Sequence, residues 1–149
     1  MCIRDSALLG LPWDARQIAD ALQATRVTGR LDRRHLNWRG KSLTLLLDVG
    51  HNPHAAQFLA GRLQARATAG RRLAVFGLLA DKELPGVVAP LLAEIAHWAV
   101  TTLPSERSRP AAELHAHLAS RGAQVEAYGD VASALEAPVS YTHLRAHET

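Results

Sequence analysis

The chain has 149 residues, 48% hydrophobic but only 5% aromatic, with a formal charge of +3, which suits one domain of ordinary size built on Ala, Leu and Val. A single cysteine, Cys2, excludes a disulfide scaffold or a cysteine-based metal site. No apolar stretch reaches the ~18 residues of a membrane span, and the first residues lack the apolar core and cleavage site of a signal peptide. No membrane partner is therefore expected, and the cytoplasm is the expected compartment.

The basicity, with a pI near 9.6, is nearly all arginine, because Lys41 and Lys82 are the only lysines. The nearest thing to a basic patch is Arg26, Arg30, Arg33, Arg34 and Arg39, with Trp38 among them. A nucleic-acid surface needs a clustered face interleaved with aromatics, so no nucleic-acid partner is expected.

In chain order, Asp14 can cap a helix with Gln17 three residues on, and Ile18, Ala21, Leu22 and Thr25 then share a face. Residues 34–38 and 42–49 flank Arg39-Gly40 and suggest a hairpin. A helix is expected from Pro53 to about Arg66, a strand over 72–78, and a helix over about 84–95. A strand over 98–101, a helix over 110–120 stopped by Gly122, a strand over 125–128 and a short helix over 131–135 follow. Strands alternating with helices mean βαβ units, so the fold class is α/β, a Rossmann-like, mostly parallel sheet with flanking helices. Right-handed crossovers place the strand ends and their loops along one edge.

The most informative segment is Leu-Thr-Leu-Leu-Leu-Asp-Val-Gly-His-Asn-Pro-His-Ala-Ala over 43–56. The apolar run reads as a strand buried on both faces, and Asn-Pro reads as a turn into a helix. Asp48, His51 and Asn52 then stand at the carboxyl end of a strand beside a helix N-terminus, where open parallel sheets bind ligands and where an anion is favoured. Asp48 either caps its turn through an Asx-type bond or accepts hydrogen bonds from a ribose. His51 either serves the turn or donates to a phosphoryl oxygen, and Asn52 can cap the helix or meet a phosphate. Asp81 and Lys82 follow the next strand and share the same expected edge, as a helix cap and a solvated lysine or as substrate or phosphate contacts. Residues 105–109 after the third strand are candidates to face the same cleft. His115 and His117 lie two apart on a helix and point to different sides, so no metal site is expected there. There is no phosphate loop of the G-x-x-x-x-G-K-[ST] type and no G-x-G-x-x-G fingerprint.

Asp-Val-Gly-His-Asn-Pro-His-Ala-Ala, with Thr-Gly-Arg at 28–30 before it and Phe-Gly-Leu-Leu-Ala-Asp-Lys-Glu at 76–83 after it, resembles the C-terminal domain of bacterial folylpolyglutamate synthase/dihydrofolate synthases, of the Mur ligase superfamily. The resemblance runs from about Ala7 to Pro138, with Thr28 where the family usually has proline. It implies residues 7–29 as the end of a central ATP-binding domain plus linker, and 30–138 as the ligase C-terminal domain. It also implies that the domain continues past Pro138 with one more strand and helix, so the sheet is expected to be truncated. The ends, 1–6 and 139–149, resemble translated sequencing-adapter read-through, so Cys2, His143 and His147 are given no role.

By that resemblance Arg30 and Asp48 contact ATP; by their positions at the helix start and the next loop, His51 is read as the catalytic residue near the transferred phosphate, and Asn52, Asp81 and Lys82 as phosphate or substrate contacts. The implied reaction joins L-glutamate to dihydropteroate or folate through an acyl phosphate, with ATP and Mg²⁺. An N-terminal ATPase domain in cis would supply the phosphate loop and the metal ligands, and this portion alone would be inactive. The alternatives are the C-terminal domain of a Mur-type peptidoglycan ligase and a free-standing nucleotide-binding module.

Overall fold

The computed structural model describes residues 14–136 except positions 26, 39, 67 and 69. The two ends read as foreign lie outside the described residues. The chain falls into two compact units that divide between Val49 and Gly50.

The first unit opens with helix α1 (Ala15–Ala24), whose capping box forms as expected: Asp14 accepts from the Arg16 N–H and the Gln17 side chain reaches back to the Asp14 amide. Strands β1 (Asp32–Trp38) and β2 (Lys41–Leu47) form an antiparallel hairpin in the register Asp32↔Leu47 to Trp38↔Lys41. Gly40 lies at φ +78° in the turn, where a side chain would be strained.

This corrects the expected strand buried on both faces. β2 pairs only with β1 among the described residues, and its exposure alternates over 41–45, with Ser42 and Thr44 exposed and Leu43 and Leu45 half-buried. The two hydroxyl residues impose the period of two typical of a one-sided strand. Asp48 accordingly closes a hairpin strand, not a strand of the parallel sheet.

The second unit contains α2 (Pro53–Gln64), β3 (Leu73–Phe76), α3 (Leu84–Val88), a 3₁₀ turn (Ala89–Leu91), β4 (His97–Thr101), α4 (Ala111–Ser120) and β5 (Val125–Tyr128). A last helix, α5, covers 131–136. The sheet is parallel in the order β3-β4-β5, aligned Leu73↔His97 and Trp98↔Val125. Both crossovers step the same way, so a single hand puts α3 and α4 on one face.

On that face Trp98 and Val100 of β4 join Ala56, Ala60, Val87, Val88, Leu114 and Leu118 in one buried core. Phe76 meets the Trp98 ring edge-on at 5.5 Å, a favoured geometry for two aromatic quadrupoles. Ala99 and Thr101, on the opposite face of β4, are also buried.

The helix expected over about 84–95 is shorter than its periodicity suggested. Pro90 lacks an amide hydrogen and crowds the carbonyl four residues back, so the α-helix gives way to a 3₁₀ turn at Ala89. Helix α4 ends as expected: Gly122 at φ +75° donates to Ala119 O (3.0 Å) while Ala123 N–H reaches Leu118 O (3.1 Å), a Schellman motif.

Candidate functional site

In the first unit, the structure brings Arg30 and Asp48 together although they are far apart in sequence. Gly29 sits at φ +74° and Leu31 at φ +46°, so the chain makes a left-handed turn around Arg30. Four bonds among the described residues hold that turn: Arg30 N–H to Val27 O at 3.1 Å, Val49 N–H to Gly29 O at 2.8 Å, Leu31 N–H to Asp48 Oδ2 at 2.9 Å and Gly29 N–H to Asp32 Oδ2 at 3.4 Å. A Cβ on Gly29 would lie 3.2 Å from Val49 Cγ1. The Asp48 carboxylate thus grips the backbone next to Arg30, and both side chains are exposed. Asp48 thus bonds a backbone amide 17 residues away, a contact that the Asx-turn reading did not include. Non-glycine residues at positive φ persist only where their surroundings over-determine them, and they cluster at ligand sites.

In the second unit, His51 is exposed just before α2. Asn52 is the N-cap of that helix, accepting the Ala55 N–H at 2.9 Å, and Pro53 takes the first helical position. The turn is seated against α3 through Gly86, where a Cβ would come 2.7 Å from Pro53 Cγ and 2.8 Å from Glu83 Oε1. Any side chain at 86 would therefore push the His51–Pro53 turn away from the loop that precedes α3.

That loop leaves the carboxyl end of β3. Gly77 lets it turn across β4, since a Cβ there would be 2.5 Å from Leu103 Cδ2 and 3.2 Å from Thr101 O. Asp81 pairs with Lys82 at 2.9 Å and with Arg107 at 3.1 Å. The hydrogen-bonded Lys82 ammonium holds the Asp81 carboxyl below its ordinary value; desolvation opposes this, while the charges of Lys82 and Arg107 add to it. Glu83 makes no side-chain cap of α3, and neither does Asp81, whose carboxylate is turned to the two cations.

The loop after β4 is zipped to it: Ala80 N–H donates to Arg107 O and Arg109 N–H to Leu78 O, each at 2.8 Å. The segment 105–109, whose place at the cleft was expected without assigned roles, therefore contributes two arginines that touch the Asp81–Lys82 loop. The readable signal was Arg109 followed four residues later by Glu113, the spacing of a helical ion pair. Along the same edge Thr102, Leu103, Pro104 and residues 129–132 line an open cleft of about 570 Å³. There Asp130 caps α5 through the Ser133 N–H at 2.7 Å, and that bond keeps its carboxyl below the usual range.

Among the described residues no group of three or more His, Cys, Asp or Glu side chains could hold a metal ion. Within the first unit Arg30 and Asp48 present exposed charged groups; within the second, Asp81, Lys82 and Arg107 form a cluster of ion pairs.

Residues 29–144 match the family described as Mur ligase, glutamate ligase domain. The dihydrofolate synthase/folylpolyglutamate synthase of Escherichia coli is 35% identical over 109 residues, 73% of this chain but 25% of that protein. Among solved structures, the E. coli protein in complex with DHPP and ADP aligns with a TM-score of 0.75 at 31% identity over 88% of this chain and 30% of that one. The bifunctional enzyme of Yersinia pestis complexed with AMPPNP and Mn aligns at 0.72 and 31% identity, over 90% of this chain and 31% of that one. The chain thus spans about a quarter to a third of the relatives it matches. With a parallel Rossmann-like sheet, an Asn-Pro-capped helix and the Arg30–Asp48 turn all inside the matched region, this chain belongs to the Mur ligase family, as a glutamate ligase domain.

Proposed function

We propose that this chain is the C-terminal part of an ATP-dependent, ADP-forming ligase that joins L-glutamate to dihydropteroate and folates. The observation that carries the reading is the Arg30 turn locked by Asp48, inside a sequence shared with relatives named for that activity. Solved neighbours with ADP, or with AMPPNP and Mn, support a nucleotide and a divalent metal as ligands of the whole enzyme.

In this reading an N-terminal ATPase domain in cis holds the nucleotide phosphates and the Mg²⁺, for which the described residues of this chain provide no ligand cluster. The metal would supply charge neutralisation at the phosphates. Arg30 stacks on or grips the nucleotide with its planar guanidinium, and Asp48 orients the ribose while holding the turn. His51 donates a hydrogen bond to the phosphoryl group being transferred, beside the positive end of α2, where Asn52 adds a polar contact.

The pterin carboxylate oxygen attacks the γ-phosphorus and ADP leaves. The glutamate amine then attacks the acyl carbon, and phosphate leaves with the original carboxylate oxygen. At the sheet edge Lys82 meets the anionic end of a substrate, while Asp81, paired with Lys82 at 2.9 Å, accepts hydrogen bonds from the substrate's donor groups. Closure of this domain over the nucleotide excludes water and protects the acyl phosphate from hydrolysis. The cytoplasm is the compartment we assign; among the described residues no helix is long and apolar enough to cross a membrane.

The test is substrate-dependent phosphate release by the complete polypeptide. Release with ATP, dihydropteroate and L-glutamate is expected, with none from the isolated chain. Turnover with a UDP-muramoyl acceptor in place of the pterin would instead assign the domain to a cell-wall ligase, and turnover by the isolated chain would refute the need for a second domain.

A further inference from the structure

Lys82 and Asp81 sit on a loop, and loops are ordinarily the mobile part of an α/β edge. This one is not left to itself. The Arg109 guanidinium, mostly buried, donates from Nη2 to Ala80 O at 2.7 Å and to Lys82 O at 3.0 Å, and from Nη1 to Glu113 Oε2 at 2.9 Å. The two carbonyls flank Asp81 and Lys82, so fixing both sets the direction in which the two side chains leave the backbone. Lys82 N–H closes the turn on Leu79 O at 3.1 Å, and the Arg109 backbone is itself tied to Leu78 O. The anchor comes from the neighbouring strand's loop and from α4, a rigid element of the core.

Resting on the ligase reading above, we propose that Arg109 is a positioning residue for the reaction: it holds the Ala80–Lys82 loop in its substrate-ready form before any substrate arrives. Preorganisation of this kind removes an ordering cost that binding would otherwise bear. Arg109 reaches the carboxylate from Nη1 and the two carbonyls from Nη2, a spread that the single nitrogen of a lysine does not reproduce, so lysine is not an equivalent residue at 109.

The experiment compares Arg109→Ala, Arg109→Lys, Lys82→Ala and the Lys82→Ala/Arg109→Ala double variant in the complete ligase, with KM measured separately for ATP, L-glutamate and the pterin. Both Arg109 variants are expected to raise, by about ten- to a hundredfold, the KM of whichever substrate Lys82→Ala affects, with kcat within about twofold. The double variant is expected to be no worse than Lys82→Ala alone. In parallel, hydrogen exchange on the 149-residue chain is expected to show the Ala80 and Lys82 amides exchanging at least about tenfold faster in Arg109→Lys, while the Leu114 and Leu118 amides of the core keep their protection.

Losses that multiply in the double variant, or unchanged exchange at Ala80 and Lys82, would overturn the inference while leaving the ligase reading intact. A Lys82→Ala enzyme with every KM unchanged would instead show that the loop does not meet substrate, and the inference would fall with that part of the reading.

Discussion

Asp48 and Leu31 show how a single carboxylate can hold a strained backbone while its side chain stays exposed. A residue held at positive φ without glycine's freedom costs on the order of 1–3 kcal/mol, and Leu31 at φ +46° is held by the Asp48 bond at 2.9 Å. Gly29 takes the other left-handed position, at φ +74° with Val49 3.2 Å from any added Cβ. Gly29→Ala is therefore expected to destabilise the first unit by about 1–2 kcal/mol, read as a lowered denaturation midpoint with the second unit's transition unchanged. The residue types at 29, 30 and 48 were legible in the sequence, and so was the family resemblance they help to carry. The bond between Asp48 and Leu31 was not, because it spans 17 positions and no local pattern encodes it.

At the scale of elements, the caps read true and the burial of one strand did not. Asn52 followed by proline announces a helix start, and the structure has Asn52 accepting the Ala55 N–H. Asn52→Ala is expected to cost about 1 kcal/mol of stability, measurable by chemical denaturation; a change below a few tenths would show that the cap bond contributes nothing. Leu43–Leu47 misled because a run rich in leucine looks buried on both faces, whereas Ser42 and Thr44 already carried the alternation of a one-sided hairpin strand. Helix α3 stopped early at Pro90, a breaker present in the sequence but outvoted by the apolar periodicity around it. The clamp by Arg109 was half-legible: its ion pair with Glu113 follows from spacing, but its reach to Ala80 and Lys82 depends on strand order.

Across the molecule, the parallel sheet sets which loops share an edge, and its core sets how stability responds to pH. His117 is half-buried on α4, and burial pushes its pKa below the ordinary 6.5, with the charges of Arg121 and Arg109 acting in the same direction. The folded state then binds that proton less readily than the unfolded chain. Its contribution is fully present above pH 6.5 and is lost as pH falls from there through the lower folded value. Asp81 and Asp130, with pKa values below 3.8, act only at far lower pH. The urea midpoint should therefore fall between pH 7.5 and about 5.5, and His117→Leu should flatten that fall; identical slopes would remove His117 as the cause.

The assignment as a whole depends on the Arg30–Asp48 turn meeting a nucleotide, and one titration addresses it. Asn can still accept the Leu31 amide bond, so Asp48→Asn should fold like the parent while lacking the charge. In the complete ligase, titrated with a non-hydrolysable ATP analogue, Asp48→Asn and Arg30→Ala are each expected to weaken binding about tenfold or more, the loss of one charge-assisted contact. Affinities equal to that of the parent in both variants would contradict a nucleotide site at this turn.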